Sequence, residues 1–157
     1  MQRIETPVGP LWLAAADGGL ASIAFHGPAS AHSEDPLLSD AERQLLAYFA
    51  GELERFELPL APRGTNFQRR VWDAVAAVPY GTTTTYSTLA AAIGSPRATR
   101  AVGAANGRNP LPVVVPCHRV IGASGALTGY GGGLEVKRTL LALEARRGAA
   151  SGAVDRL

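Results

Sequence analysis

The sequence predicts an α/β (α+β) protein built in two parts, a small antiparallel sheet with a helix followed by a mainly helical region, and three observations carry that reading. Turn-forming clusters separate short apolar runs over residues 1–62, helical periodicity dominates residues 63–157, and the charge changes sign between the two. Residues 1–62 hold Arg3, Arg43 and Arg55 against nine acids, a net of −6. Residues 63–157 hold twelve bases against Asp73, Glu135, Glu144 and Asp155, a net of +8. Such a basic half can track a polyanion, of which nucleic acid is the commonest; an Arg-rich surface is the plainer account, since Lys137 is the only lysine.

Taken in order, residues 3–25 predict two hairpins, with turns at Pro7-Val8-Gly9-Pro10 and Asp17-Gly18-Gly19. A polar stretch over 26–36 leads to Ser39-Asp40, a cap for a helix in which Leu45, Leu46, Tyr48 and Phe49 recur at helical spacing before Gly51. Residues 56–60 read as one more strand, and Pro59, Pro62 and Gly64 mark a linker. Thr65 or Asn66 then caps a helix through residue 78, with Phe67, Val71, Trp72, Val75 and Val78 on one face. A short helix over 87–93 is closed by Gly94, and Ser95-Pro96 supplies an N-cap and first-turn proline for a second helix reaching about residue 106. Together they form a helix-turn-helix candidate whose second helix carries Arg97 and Arg100 among small residues. Residues 111–115 read as a short buried strand ending at a bend, glycines 122–133 as a loop around Tyr130, and 134–147 as the last helix, with Glu144 in its final turn. The expected domains are therefore 1–62, 63–148 and a flexible tail at 149–157.

A chain of 157 residues with this apolar content can bury a real core. A single cysteine excludes an internal disulfide framework, and no Cys/His set has zinc-finger spacing. Arg3, Glu5 and Asp17 interrupt any signal-peptide core, and no apolar run approaches the ~18 residues a membrane span needs. The expectation is a soluble cytoplasmic protein with no metal and no cofactor.

Cys117 is the one soft nucleophile, and a thiolate is what attacks carbon. His118 follows at once; an imidazole with a pKa of about 6.5 can take the thiol proton if a carboxylate orients it. Adjacent residues of a strand face opposite ways, so the pair needs a bend or a bridging water. Glu144 is the candidate carboxylate, a negative charge that the end of a helix disfavours unless it has a role.

Pro116-Cys117-His118-Arg119-Val120, reached from Asn109-Pro110 and followed by Thr128-Gly129-Tyr130-Gly131-Gly132-Gly133-Leu134, resembles the active-site signature of the O6-alkylguanine-DNA alkyltransferases, the methylated-DNA–protein-cysteine methyltransferases, of bacterial type. The resemblance extends over residues 64–144. It implies a ribonuclease H-like amino-terminal domain, and a winged helix-turn-helix domain that binds double-stranded DNA containing O6-alkylguanine and carries the active site. The implied reaction is irreversible alkyl transfer to Cys117, once per molecule, after the nucleotide leaves the stack, with O4-alkylthymine as a further substrate. His118, through a water, would be the base, Glu144 the orienting carboxylate, and Asn109 a brace for the turn. Tyr86 would press on the 3′ phosphate and donate to guanine N3, and Arg100 would fill the vacated space. Arg97, Ala98 and Thr99 would contact DNA; Tyr130, Gly131, Val120 and Lys137 would line the base pocket, where the Cys117 and Val120 carbonyls accept the exocyclic amine. The protein would act as a monomer, with cooperative binding along DNA left open. Relatives that bind zinc through Cys and His in the amino-terminal domain differ here, as do those with Pro at Asn66 or Gly-Glu at Ser87-Thr88.

Three other readings compete. Alkyltransferase-like proteins bind alkylated DNA but lack the cysteine that this chain keeps. A winged-helix regulator accounts for Arg97 and Arg100 and leaves the Pro-Cys-His run idle. A cysteine hydrolase using Cys117, His118 and Glu144 has no need of the helix-turn-helix.

Overall fold

Asp17 and Gly18 both adopt positive φ, 54° and 80°, the signature of a tight turn whose twist matches the strands it joins. In the computed structural model, which describes the backbone of residues 1–155 and side chains as far as Arg147, that turn links β2 (Gly9–Ala16) to β3 (Gly19–Ala24). With β1 (Gln2–Thr6) they form an antiparallel sheet in the order β1-β2-β3. The register pairs Ile4 with Leu11 and Leu13 with Ile23, and these four side chains are buried. Helix α1 (Pro36–Phe49) packs on the sheet and buries Leu38, Ala41, Leu45 and Tyr48. Trp12 is also buried; its Nε1 donates to the Pro28 carbonyl at 2.8 Å, and Gly27 lies so close to the indole that a Cβ there would sit 2.5 Å from the ring.

Two expectations for this unit are corrected. The cap of α1 is Asp35, whose Oδ1 accepts from Leu37 N at 2.9 Å, and not Ser39-Asp40, because Pro36 takes the first helical position where its missing N–H costs nothing. Residues 56–60 are not a strand: Gln44, itself buried, binds both the N–H and the carbonyl of Glu57, and a single parallel bridge joins Leu60 to Leu20.

The chain divides into two compact units, residues 1–63 with 110–112 and residues 64–109 with 113–157. The second begins with α2 (Asn66–Ala76), held by a capping box in which Thr65 Oγ1 accepts from Gln68 N and Gln68 Oε1 accepts from Thr65 N. Trp72 of α2 donates to the Ala105 carbonyl at 2.8 Å and so ties it to α4 (Thr99–Gly107). Between them lie β4 (Thr84–Thr85) and α3 (Tyr86–Ala92), which Thr85 caps and Gly94, with φ 76°, closes. Ser95 does not cap the next helix. Residues 95–98 form a separate turn, Ala98 N to Ser95 O at 2.9 Å, and α4 begins at Thr99 behind Ala98, which offers no side-chain cap.

The strand expected at 111–115 is absent, because Pro110, Pro112 and Pro116 remove the donors that a ladder needs and Val113 takes φ 74°. The only pairing there follows the bend: β5 (Val120–Ile121) runs parallel to β4, Thr84 opposite Val120 and Thr85 opposite Ile121. The last helix, α5 (Leu134–Asp155), does not stop near Arg147, so Glu144 sits inside it and not in its last turn. The tail expected at 149–157 is helical as far as Asp155, and Arg156 and Leu157 lie outside the described residues. Among the described residues no helix is long and apolar enough to cross a membrane.

Candidate active site

Pro116, at φ −80° and ψ 64°, forms an inverse γ-turn that bonds Cys117 N to Val115 O at 2.7 Å. Cys117–Arg119 then winds into one 3₁₀ turn. This is the bend the cysteine–histidine pair requires: consecutive side chains of such a turn are about a third of a revolution apart, where those of a strand are opposed. Asn109 donates to the Val115 carbonyl at 2.8 Å and hydrogen-bonds the Cys117 sulfur, and Asn106 Nδ2 lies 3.4 Å from the Cys117 carbonyl. The sulfur is therefore framed from the end of α4, with Cys117 only 7% exposed.

His118 is fully buried, and its Nε2 lies 2.7 Å from Glu144 Oε2 on α5. Next to a carboxylate that nitrogen is the donor, which leaves Nδ1 as the free acceptor; it is buried and has no partner among the described residues. Arg119 completes the cluster. Its guanidinium forks onto both oxygens of Glu144, Nε to Oε1 at 2.8 Å and Nη2 to Oε2 at 3.0 Å, donates Nη1 to the Val78 carbonyl at 2.7 Å, and lies 5.5 Å from the centre of the Tyr80 ring. A buried carboxylate needs such a partner, and with Arg119 present the pair is neutral before any proton moves.

Burial, the dominant influence, pushes the Cys117 thiol above its ordinary range; the Asn109 hydrogen bond and the Lys137 charge pull it partly back. Burial likewise holds His118 below the usual imidazole value, with Glu144 opposing and Arg119 and Lys137 reinforcing. The resting pair is thus thiol and neutral imidazole, and a proton must move when an electrophile arrives. Burial raises the Tyr130 phenol well above its usual value, and the charges of neighbouring Cys117 and Glu144 push the same way.

Lys137 is buried, with its ammonium lowered by burial, and donates to the Val120 carbonyl at 2.8 Å and the Thr128 carbonyl at 3.1 Å. Tyr86, half-buried, hydrogen-bonds Thr128 through the two hydroxyls. Gly131 is exposed in the glycine loop with open space beside its Cα. Cys117, His118, Glu144, Asn109, Tyr130, Val120 and Lys137 are thus brought into one connected group. Arg97, in the turn before α4, and Arg100, in its first turn, stand apart as exposed side chains, with Ala98 and Thr99 half-buried between them; Ser95, Pro96, Arg97 and Ala98 line a shallow hollow of about 460 Å³. Among the described residues no three His, Cys, Asp or Glu side chains gather in a way that could hold a metal.

Sequence reasoning missed Arg119 and Asn106. For Arg119 a signal existed: a guanidinium inside the run 111–121, where His118 is the one other polar side chain apart from the Cys117 thiol, has to find an acid, and Glu144 is one of only four in the second half. Asn106 gave none, since polar residues are common near helix ends.

Two family descriptions match the chain: 6-O-methylguanine DNA methyltransferase, ribonuclease-like domain, over residues 2–62, and 6-O-methylguanine DNA methyltransferase, DNA binding domain, over residues 66–146. The methylated-DNA–protein-cysteine methyltransferase of Methanosarcina acetivorans is 50% identical over 147 residues, covering 89% of this chain and 94% of the relative. Its namesake from Mycobacterium tuberculosis H37Rv is 52% identical over 152 residues, covering 93% and 92%. A crystal structure of M. tuberculosis OGT in complex with DNA superposes with a TM-score of 0.84 at 52% identity, covering 92% of each chain. The chain belongs to the 6-O-methylguanine DNA methyltransferase family.

Proposed function

We propose that the protein repairs DNA by moving the alkyl group of O6-alkylguanine onto Cys117, and that the observation carrying this reading is the Cys117 sulfur beside Asn109 and Tyr130, next in chain to a neutral His118 whose other nitrogen is fixed by Glu144. The step balances without a cofactor. The thiol proton passes through a water to His118 Nδ1, the sulfur forms a bond to the alkyl carbon as the carbon–O6 bond breaks in line, and the proton returns to the guanine that leaves. The products are a thioether and an unmodified base. No second thiol exists to reverse the thioether, so each molecule acts once.

A base inside a duplex cannot reach a sulfur this buried, so the nucleotide must be extruded at a cost of a few kcal/mol. Arg100, exposed on the small-residue helix α4, replaces the lost stacking; Arg97, Ala98 and Thr99 follow the backbone in a minor groove that suits such a helix. Tyr86 donates to guanine N3, Tyr130 walls the pocket, and the backbone at Gly131 faces O6. The Cys117 carbonyl, held by Asn106 and by the Val120 N–H, and the Val120 carbonyl, held by Lys137, accept the exocyclic amine. O4-alkylthymine offers the same oxygen–alkyl bond. Residues 63–148 are the working domain and 1–62 its companion, in a cytoplasmic monomer on double-stranded DNA.

The test is incubation with duplex oligonucleotide carrying O6-methylguanine, followed by intact mass. The expected outcome is a gain of about 14 Da on Cys117, the mass of one methylene by nucleophilic transfer, with restored guanine in the DNA. Cys117→Ser is expected to lose transfer entirely and keep DNA binding. Unmodified wild-type protein beside unrepaired DNA would sink the reading.

A further inference from the structure

Thr128 belongs to the glycine loop, where a residue has little reason to be fixed, yet two hydrogen bonds hold it. Its carbonyl accepts from the buried Lys137 ammonium, which also holds the Val120 carbonyl at the start of the loop. Its methyl group lies over Gly122, where a Cβ would sit 3.7 Å from Thr128 Cγ2. Its hydroxyl meets the Tyr86 hydroxyl. Tyr86 is in turn placed by β4, whose pairing with β5 sets where α3 begins, and by Gly103 of α4, where a Cβ would lie 3.7 Å from the ring.

We propose that Thr128 is a positioning residue for the methyl transfer: its hydroxyl donates to the Tyr86 phenolic oxygen and so turns the Tyr86 proton toward the nucleobase. The proposal rests on the reading of Tyr86 given above. Two hydroxyls that share one hydrogen bond can share it in either direction. A base nitrogen acceptor at Tyr86 selects the direction in which Thr128 donates, and a phenol that already accepts is the stronger donor. Lys137 supplies the rigidity, since by anchoring the Thr128 backbone it prevents the loop from carrying the hydroxyl away. Valine at this position would keep the shape and remove the relay.

Single-turnover transfer from O6-methylguanine duplex, followed over a range of protein concentrations, separates the affinity for DNA from the rate constant of the step. Thr128→Val is expected to lower the rate constant about three- to tenfold, the range one neutral hydrogen bond supplies, with affinity unchanged. Thr128→Ser is expected to restore it. In a Tyr86→Phe background, Thr128→Val is expected to change the rate less than twofold, since the group it acts through is gone. A wild-type rate in Thr128→Val, a serine variant as slow as the valine one, or the same loss in the Tyr86→Phe background overturns the proposal and leaves the methyl-transfer reading standing. A wild-type protein that takes up no methyl group overturns both.

Discussion

The two units bury different things. Among the described residues the first buries one polar side chain, Gln44, inside a core of Leu11, Leu13, Leu20, Leu45 and Tyr48, whereas the second buries Asn106, His118, Arg119, Lys137 and Glu144. A sheet and a helix that bury apolar surface gain stability simply by excluding water, roughly 25 cal/mol for each Å². An ion pair taken out of water returns little of its desolvation cost unless every charge is met, and the second unit meets each one: Arg119 with Glu144, the Val78 carbonyl and the Tyr80 ring, Lys137 with two carbonyls. The first region is organised for stability, and the second accepts buried charge in the cluster of His118, Arg119, Lys137 and Glu144 around Cys117.

The largest effect expected from that difference follows from Arg119→Met. Removing one partner of a buried pair leaves Glu144 uncompensated, at a cost of about 3–5 kcal/mol. The two tryptophans fall one in each unit, Trp12 in the first and Trp72 in the second, so the Trp12→Phe background reports on the second unit alone. Urea unfolding followed by Trp72 fluorescence is expected to lose most of its stability in the Arg119→Met protein. A loss under 1 kcal/mol would show that Glu144 is not held by Arg119 and would remove the contrast between the units.

A smaller, pH-dependent effect sharpens the same contrast. Burial holds His118 below its ordinary value of 6.5, so the unfolded chain takes up the proton first, and the stability this contributes is present above 6.5 and lost as pH falls through the folded imidazole's pKa. Burial raises Cys117 above its ordinary value of 9.0; that contribution is present below 9.0 and lost as pH rises through the folded thiol's pKa. The second unit is expected to show a stability plateau between about pH 6.5 and 9. Cys117→Ser is expected to remove the fall that begins at about pH 9 and keep the acid one, leaving on the alkaline side the later fall above about pH 10 that burial of the Tyr130 phenol brings, measured by the same fluorescence. A fall that still begins near pH 9 in the serine variant would assign it to another group.

How much of this could be read from the chain alone divides along the same line. The hairpins are legible because Asp17-Gly18 demands its own turn, and α2 because a capping residue at Thr65 precedes Phe67, Val71, Trp72 and Val75 at helical spacing. Residues 56–60 and 111–115 read as strands in the sequence and are not strands in the fold, for opposite reasons. The first stretch has strand-like composition, but Gln44 takes its hydrogen bonds; the second is apolar because it is buried, while its prolines forbid a ladder. Cys117, His118 and Glu144 could be singled out by their chemistry and by family resemblance. The place of Arg119 in a mostly apolar run shows that it needs an acid, but which acid is decided only by folding, which brings α5, 25 residues away in sequence, beside the 3₁₀ turn. Even the reason offered for Glu144 needed revision: no helix end surrounds it, and the charge that compensates it is a guanidinium.

The smallest effect is a control on the comparison itself. Asp35 caps α1 through a single bond to Leu37 N, far in sequence from any residue of the candidate site. Asp35→Ala is expected to cost about 1 kcal/mol, the usual worth of an N-cap. That loss is expected in the first unit, read by Trp12 fluorescence in a Trp72→Phe background. The rate of methyl transfer per folded molecule should not change, because the cap holds apolar packing in place and touches neither the sulfur nor the proton path. A transfer rate that fell along with the stability of α1 would mean that the first unit takes part in arranging the sulfur, and the division into one region for stability and another for chemistry would have to be given up.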